Sequence, residues 1–504
     1  MSYYELTLLL RTREGNSGSK RKNRKYTDLP LTESAFYRLS QTQILAFSLG
    51  VIIFIVSLLF NWHATILIII GGFTLFYFAD MLFSFILIFR SFARNPEIKI
   101  TDEALAKAEK LNHWPTYTIL CPLYKEWQVL PQFVGAMANL DYPHDKLQIL
   151  LLLEENDRKT LAKAYEMNLP KDMKIVTIPD SRPKTKPKAL NYGLKMAKGE
   201  FLVIYDAEDV PEPLQLKKAI LAFAKTNNDT VCVQAKLNFY NPRQNMLTRL
   251  FTAEYALWFD LILTGLQSIS APIPLGGTSN HFRTVYLRRL LGWDAYNVTE
   301  DCDLGIRIAE RGYRTAIFDS VTLEEANSRV LNWFHQRTRW IKGYLQTYFV
   351  HMRHPGQYWQ NGQKYNFAVF QLVVGGKTFT TLVNSFMWIV TIAYFLFRPQ
   401  AGHLIESFFP GPIFYLAIFS LLAGNFIYIY AYMIGSLRRE QYDLVKYAFL
   451  VPFYWAGMSL ASWVALYEIL IQPHYWAKTI HGFHLQKVNL PPAISPTTTA
   501  GAPY

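Results

Sequence analysis

Hydrophobic residues concentrate in long uncharged runs near the two ends of the chain, whereas the middle alternates short apolar and charged stretches. The runs 44–60 and 66–89 are each long enough to cross about 30 Å of hydrocarbon, and only Asp80 interrupts the second. Residues 61–65 between them carry no formal charge. The pattern therefore predicts a transmembrane hairpin over residues 44–90.

A second apolar region is predicted over residues 366–471. Its three hydrophobic blocks cover residues 367–397, 412–437 and 448–471. The first block is too long for one span and too short for two, so we expect an interfacial or re-entrant piece, split at Gly375 to Lys377, before one span. Three spans would leave the tail 472–504 outside, whereas the lysines of this tail favour the cytosol. Both topologies stay open.

Basic residues flank the predicted hairpin on both sides. The run 20–25 (KRKNRK) precedes it, and Arg90 and Arg94 follow it. By the positive-inside rule, the basic segment 1–43 and the middle of the chain are cytosolic, which indicates a multi-pass protein of the plasma membrane. The first apolar run begins too far from residue 1 for a cleaved signal peptide, and we interpret it as a retained anchor.

The net charge of +13 and the run 20–25 also suit nucleic acid binding. However, basic clusters beside a first span orient the chain and contact anionic lipid. We therefore expect the lipid bilayer, and no nucleic acid, as a partner.

The middle of the chain, residues 95–364, has the pattern of an α/β domain. Predicted strands cover residues 117–121, 147–153, 174–178, 201–205 and 231–235. Predicted helices cover residues 104–111, 129–140, 159–167, 189–197 and 213–226. This alternation predicts a parallel sheet with helices on both faces and a ligand site at the carboxyl ends of the strands.

Two later stretches, about 247–266 and 330–352, are apolar but amphipathic and rich in aromatic residues. Such faces are typical of helices that lie in the membrane interface. Ordinary core helices are the alternative interpretation.

Three cysteines, Cys121, Cys232 and Cys302, lie far apart without C-x-x-C spacing. This spacing is not that of a zinc cluster or a disulfide framework, and it fits a reduced compartment.

Carboxylates follow the predicted strand 201–205, where Asp206, Glu208 and Asp209 cluster. Carboxylate oxygens are preferred ligands of Mg²⁺ or Mn²⁺, and such an ion would bridge to phosphate. A solvated acidic turn is the alternative interpretation.

A basic stretch, Lys184-Thr-Lys186-Pro-Lys188-Ala-Leu-Asn191, precedes a predicted helix start. Ammonium groups and the backbone amides of a helix start both bind phosphate oxygens. As an isolated feature the stretch is also consistent with a plain basic loop.

Two further motifs carry candidate chemistry. Glu300 and Asp301 follow Thr299 ahead of a predicted helix, where a carboxylate would accept the proton of a hydroxyl, although helix capping by Thr299 explains the pattern equally well. In the second motif, Gln336, Arg339 and Trp340 share one helical face. The guanidinium suits a diphosphate and the indole suits a sugar ring, whereas the adjacent His335 is interpreted as a packed residue.

Taken together in this order, the motifs around Asp206, Asp301 and Gln336-x-x-Arg339-Trp340 resemble the processive, inverting glycosyltransferases of the cellulose synthase-like group. The resemblance covers residues 112–352 and the flanking apolar runs. It implies an α/β GT-A-type, Rossmann-like cytosolic domain inserted between transmembrane α-helices, with amphipathic interface helices.

The resemblance also implies roles for individual residues. Asp301, with Glu300, would be catalytic, and Asp206 and Glu208 would hold Mg²⁺ or Mn²⁺. The nucleotide-sugar would be bound by Pro122, Tyr124, Glu126, Glu154, Glu155, Lys184, Lys188, Asn191, Asp206, Gln336 and Arg339. The acceptor would be bound by Gly277, Thr278, Ser279 and Trp340.

The implied function is transfer of a hexose, foremost from UDP-glucose and next from GDP-mannose, to a growing β-linked polysaccharide that passes through the protein's own helices. A glycosyltransferase that adds one sugar to a lipid is the alternative enzyme. A catalytically inactive scaffold for another synthase is the non-enzymatic alternative. No C-terminal segment resembles the gating loop of bacterial cellulose synthase, so regulation of that kind is not expected.

Overall fold

The computed structural model describes residues 28–360, 362–476, 478–479 and 482. The basic run 20–25 and most of the predicted tail 472–504 lie outside the described residues.

Within the described residues, eight strands form one mixed sheet. The strands are β1 (Tyr117–Leu123), β2 (Leu147–Glu154), β3 (Met173–Ile178), β4 (Phe201–Ile204), β5 (Val210–Pro211), β6 (Thr230–Phe239), β7 (Asn280–Arg283) and β8 (Arg314–Glu324). Their order in the sheet is β3-β2-β1-β4-β7-β6-β8-β5. Strands β1 to β4 run parallel to one another, and β6 runs parallel to β8.

The prediction of an all-parallel sheet is wrong at β5 and β7, which run antiparallel to their neighbours. Strand β7 enters the sheet directly from a loop at the carboxyl edge of β4, so it must run in the opposite direction. Its sequence, Asn280-His-Phe-Arg283, is short and polar and gave no strand signal. The five predicted strands are all present with slightly different ends.

The helices are α1 (Gln41–Arg94), α2 (Asp102–Leu111), α3 (Leu130–Ala138), α4 (Arg158–Glu166), α5 (Lys186–Met196), α6 (Gln215–Ala224), α7 (Met246–Leu257), α8 (Leu263–Ser268), α9 (Thr284–Arg289), α10 (Glu300–Glu310), α11 (Val330–His351), α12 (Gly356–Gln360), α13 (Lys364–Phe370), α14 (Lys377–Leu396), α15 (Arg398–Ser407), α16 (Gly411–Arg438) and α17 (Val451–Ile471). Two π-helical segments, Trp258–Ile262 and Gln371–Gly376, join α7 to α8 and α13 to α14. A 3-10 helix, Tyr442–Leu450, leads into α17.

Both faces of the parallel part of the sheet are covered, as the sequence predicts. Along β1, Ile119 packs on one face with Phe133 of α3, whereas Leu120 packs on the other with Leu190 of α5. This alternation follows from the two-residue period of a strand. The fold is a GT-A-like α/β fold with long apolar helices beside it.

In the part of the chain that the structure describes, four helical stretches are long and apolar enough to cross a membrane: Gln41–Arg94, Lys364–Leu396, Gly411–Arg438 and Tyr442–Ile471. In α1 the backbone leaves the helical region at Asn61, with φ −156° and ψ 87°. Gln43, before this point, donates a hydrogen bond to the Phe349 carbonyl, and Leu87, after it, packs against Gly265. Both ends of α1 therefore rest on the same side of the molecule, and the chain reverses at Asn61.

The glycine pair at 375–376 does not split the block 367–397, contrary to the expected re-entrant piece. Gly376 and Lys377 both keep helical backbone angles, and the helix continues from Lys364 to Leu396 through the π-helical segment. A π-helical turn accommodates an extra residue without breaking the helix.

The two amphipathic stretches form α7, α8 and α11, which lie between the sheet and the apolar helices. Phe251 and Phe259 are buried, and Gly435 of α16 packs directly against the backbone of Leu257. On α11, Trp333 packs against Gly457 of α17. These aromatic side chains pack against neighbouring helices of the protein, and the position of α7, α8 and α11 at a membrane interface stays a prediction.

Gly343 lets α11 approach the loop that carries Thr299. A Cβ at position 343 would lie 2.2 Å from the Thr299 hydroxyl oxygen. We expect Gly343→Ala to destabilise the protein by about 1–3 kcal/mol because the helix must shift outward. Thermal unfolding in detergent measures this effect. The matched control is Gly135→Ala in α3, where a Cβ meets no atom within 4 Å and stability should stay equal or rise. Equal melting temperatures for both variants would contradict this account of the packing.

Candidate active site

One cleft lies at the carboxyl ends of β1, β2, β4, β6 and β8. It holds about 1360 Å³ of empty space, part of it open to solvent. The predicted site residues that line it are Pro122, Tyr124, Glu126, Glu154, Lys184, Asp206, Glu208, Gly277, Glu300, Asp301, Gln336, Arg339 and Trp340. Residues from separate parts of the sequence therefore converge in one place.

Lys186 is the positive charge at the centre of the cleft. Its Nζ lies 2.5 Å from Asp206 Oδ1 and donates a 2.7 Å hydrogen bond to the Gly277 carbonyl. Burial would lower the pKa of Lys186, but the charges of Asp206 and Glu300 outweigh this effect and raise it. The ammonium group thus holds three separate loops together.

The other two lysines of the basic stretch have different surroundings. Lys188 is fully buried and pairs with Glu154 at 2.7 Å, whereas Lys184 is exposed at the rim and pairs with Asp180. Since Lys186 and Lys188 are the first and third residues of α5, their side chains point about 200° apart around the helix. The sequence showed the three cations but not which one faces the cleft.

Asp206 and Glu208 follow β4 and supply two carboxylates to the cleft. Burial first, and then the charges of Asp206 and Glu126, raise the pKa of Glu208 well above its usual range. A divalent cation would relieve this excess of negative charge, so the two residues fit a Mg²⁺ or Mn²⁺ site. Among the described residues, no group of three or more His, Cys, Asp or Glu side chains is arranged to hold a metal. Oxygens of a bound phosphate would have to complete the coordination.

Glu300 and Asp301 begin α10 and face the cleft across Gly277. A Cβ at position 277 would lie 3.5 Å from Asp301 Oδ2, so glycine keeps the space in front of this carboxylate open. Burial and the charge of Asp301 raise the pKa of Glu300 to about 8. Burial also raises the pKa of Asp301, while Lys186 opposes the shift. The pair therefore holds a proton more readily than free carboxyl groups do.

Charged side chains on the far side of α10 fix its position. Asp303 accepts a 2.8 Å hydrogen bond from Arg307 and lies 3.1 Å from the imidazole of His351 in α11. Burial would lower the pKa of His351, but Glu310 and Asp303 outweigh it and raise the pKa to about 10. His351 is thus charged at neutral pH, and it ties the helix that begins with Glu300 and Asp301 to α11.

The loop that leads into α10 is clamped by residues from before the first apolar helix. The buried carboxylate of Asp294 accepts hydrogen bonds from the Ser34 hydroxyl at 2.7 Å and the Ala35 amide at 2.6 Å. Burial raises the pKa of Asp294 to about 6 despite these two donors.

On α11, the three predicted residues of one helical face all reach the cleft. The Nε of Arg339 is buried without a hydrogen-bond partner in the described part of the chain, and Nη1 donates a 3.2 Å hydrogen bond to the Val298 carbonyl. Gln336 accepts a 3.1 Å bond from Asn327. Trp340 packs beside Phe251 and presents the rest of its ring to the cleft.

An apolar wall and two further acids were not anticipated from the sequence. Leu237, Phe239, Phe251 and Tyr255 line the cleft together with Trp340, and Glu324 and Glu325 stand at the end of β8. Like Asp206, these two acids lie at the carboxyl end of a strand. They were missed because β8 was not predicted.

A C-terminal segment that the sequence did not predict as part of the site also lines the cleft. The Trp476 ring lies 4.7 Å from the Arg339 guanidinium. Lys478 Nζ lies 2.9 Å from Glu126, and Thr479 borders the same space. Sequence patterns gave no signal, because Trp476 to Thr479 follow the last apolar helix without regular periodicity.

Five predicted ligand residues do not line the cleft. Glu155 is exposed and accepts a hydrogen bond from the Asp180 amide, and Asn191 bonds the backbone of Trp293. Lys188 pairs with Glu154, as described above. The hydroxyls of Thr278 and Ser279 are buried against Ile204 and Thr322. Lys188, Asn191, Thr278 and Ser279 therefore support the cleft from behind.

One known family matches part of the chain. Residues 115–343 match the family model described as Glycosyltransferase like family 2. The chain is a glycosyltransferase. It takes its sugar from a nucleotide-sugar donor.

Relatives of this glycosyltransferase include bacterial and plant proteins. The Probable glycosyltransferase YdaM of Bacillus subtilis is 24% identical over 372 residues, which cover 72% of this chain and 84% of the relative. The Probable glucomannan 4-beta-mannosyltransferase 10 of Arabidopsis thaliana is 27% identical over 269 residues, which cover 51% of this chain. The chain spans 48% of the plant protein's length.

Among solved structures, a mannosyltransferase from Pyrobaculum calidifontis in complex with GDP-Man and Mn²⁺ is 17% identical, with a TM-score of 0.49. The alignment covers 81% of this glycosyltransferase and 99% of that chain.

The positions of the three lysines predict different losses on substitution. Lys186→Met should lower the rate of sugar transfer by about 100-fold, because the buried acids lose a charge partner worth roughly 3 kcal/mol. Lys184→Met removes an exposed charge and should change the rate by less than about threefold. Diphosphate release under saturating donor measures both. A loss in Lys184→Met as large as that in Lys186→Met would contradict the central role of Lys186.

Proposed function

We propose that this glycosyltransferase adds hexose units to a growing β-linked polysaccharide by an inverting reaction. The observation that carries the proposal is the convergence of Asp206, Asp301, Arg339 and Trp340 in one cleft that adjoins the long apolar helices. This cleft offers a phosphate site, a base and a sugar-stacking surface within one cavity.

The donor diphosphate would lie between Lys186 and Arg339, the two cations that face the acids. Asp206 and Glu208 would hold Mg²⁺ or Mn²⁺, which when bound supplies positive charge to the departing diphosphate. The nucleotide would lie toward Tyr124, at the end of β1. UDP-glucose is the donor we propose first, and GDP-mannose is second because the plant relative is named a mannosyltransferase.

Asp301 would act as the base. Its Oδ2 faces the open space at Gly277 and would take the proton of the acceptor hydroxyl as that oxygen attacks the anomeric carbon. The bond from this carbon to the diphosphate oxygen breaks on the opposite side, so the configuration inverts. Arg339 and Lys186 compensate the charge that develops on the leaving group.

The sugar acceptor would stack on Trp340, since indole faces bind sugar rings through their apolar side. The four apolar helical stretches would embed the protein in the plasma membrane with the catalytic domain in the cytosol, and the polymer would leave between them. The bilayer, the donor and the glycan acceptor are then the partners.

A second candidate is transfer of one sugar to a lipid. The apolar wall of Leu237, Phe239, Phe251 and Tyr255 favours this alternative, because it would accept a lipid chain beside the reacting sugar.

A donor panel tests the proposed function. Purified protein with Mn²⁺ is incubated with radiolabelled UDP-glucose or GDP-mannose, and products are sized with and without endoglycosidase. A digestible polymer supports the polysaccharide reaction, whereas a single extractable glycolipid supports the alternative. Asp301→Asn should lower transfer by about 10³-fold or more because the base is lost. Unchanged transfer in this variant would refute the assignment of Asp301.

The pH dependence provides a separate test of the acid pair. Because the pKa of Asp301 is raised and the base must be unprotonated, the rate should rise with pH through a value above that of a free aspartate. Because burial and the charge of Asp301 raise the pKa of Glu300 to about 8, Glu300 is protonated and uncharged in the pH range where Asp301 ionises. Glu300→Gln should therefore leave the acidic limb of kcat/KM in place, and a shift of this limb to lower pH by about one unit would show that Glu300 carries its charge beside the base.

A further inference from the structure

Arg337 lies within the segment 336–340 but points away from the cleft. Its side chain is buried, with 4% of the residue exposed. The guanidinium forms a two-pronged pair with Glu254 of α7, and one prong, from Nη1 to Oε1, measures 2.8 Å. It also donates a 2.6 Å hydrogen bond to the Tyr454 hydroxyl. Every one of these partners lies behind the cleft wall.

The same guanidinium supports the aromatic wall of the cleft. Its central carbon lies 4.5 Å from the Phe251 ring and 4.6 Å from the Trp340 ring. Both rings line the cleft. Arg337 therefore contacts the indole on which the proposed function places the acceptor sugar, and it does so from the protein side.

Tyr454 brings the last apolar helix into this arrangement. It lies in α17, and its hydroxyl donates a 2.6 Å hydrogen bond to Glu254. The oxygen accepts from Arg337 and, at 3.1 Å, from the indole nitrogen of Trp333. One hydroxyl thus joins α7, α11 and a candidate membrane span.

Stability alone is a weak explanation for this buried pair, because well-packed apolar residues often replace such pairs without loss. Two parallel hydrogen bonds to a carboxylate do fix the orientation of the guanidinium plane, because that group is planar and rigid. A fixed guanidinium plane in turn orients a neighbouring aromatic ring that must present one face to a ligand.

We propose that Arg337, held by Glu254 and Tyr454, is a positioning residue for the acceptor that sets the orientation of the Trp340 indole. The inference rests on the proposed function and adds the last apolar helix to the acceptor site. The binding of a sugar to Trp340 and the position of α17 against α7 and α11 are then energetically coupled.

Tyr454→Phe tests the proposal, because it removes only the hydroxyl that joins the three helices. The matched control is Tyr432→Phe in α16, which removes another buried hydroxyl whose described partner is the Trp455 nitrogen. Radiolabelled UDP-glucose and GDP-mannose serve as donors with Mn²⁺. Cellotetraose, mannotetraose and a detergent-solubilised membrane lipid extract serve as acceptor probes.

We expect Tyr454→Phe to raise the half-saturating acceptor concentration by about tenfold, the effect of losing a hydrogen bond to a charged group. The donor KM should change by less than about twofold, and Tyr432→Phe should leave both values unchanged. Glu254→Gln keeps the shape of the side chain but removes its charge, and it should raise the half-saturating acceptor concentration as Tyr454→Phe does. Arg337→Lys keeps the charge but cannot form the two-pronged pair, and it should also raise the half-saturating acceptor concentration.

A general loss of structure would move donor and acceptor values together and lower the melting temperature, and that result would overturn the proposal. So would a Tyr454→Phe protein that matches Tyr432→Phe. If the unsubstituted protein transfers sugar from neither donor to any probe, the proposed function fails and the positioning role fails with it. If the unsubstituted protein transfers sugar while Tyr454→Phe shows no acceptor defect, only the positioning role is refuted.

Discussion

The cleft depends on one constraint, the need to neutralise several carboxylates that are buried within reach of each other. Lys186 meets this need by contacting Asp206 directly while lying close to Glu300 and Asp301. Without an interior cation, acids gathered at this density would protonate or separate, because burying unpaired charge is costly. Lys186 thus links the loop after β4 to the loop before β7, and it lowers the cost of burying the acids at the start of α10 beside them. Arg339 adds a second cation whose Nε stays uncommitted.

Much of the catalytic fold follows from the sequence because its central strands are continuous apolar runs. Leu147–Glu154 is buried on both faces, and such runs admit few structures other than a covered parallel strand. Strands β5, β7 and β8 escaped prediction. Strand β7 begins with Asn280 and His281, which are buried but polar, so hydrophobic patterns do not detect it.

The candidate site was predictable in its motifs and less so in its details. The position of Asp206 follows from the rule that the carboxyl ends of parallel strands share one edge, whereas Asp301 and Arg339, which lie on helices, were placed beside it by the resemblance of their motifs to a known family. Which of the three lysines points to the centre of the cleft depends on the residue at which α5 begins. Sequence patterns locate a helix start only to within one or two residues, and a shift of two residues turns a side chain by about 200° around the helix. The contribution of Trp476 depends on tertiary contact with Arg339, which no local pattern encodes.

The clamp on Asp294 bears on how the protein can be divided. A fragment that began after the first apolar helices would retain every strand of the sheet, yet it would lack Ser34 and Ala35. The carboxylate of Asp294 would then be buried with two of its donors gone, six residues ahead of Glu300. The segment before the first apolar helix is thus part of the folded unit that holds the cleft, and an excised α/β domain would be incomplete at the loop that leads into α10.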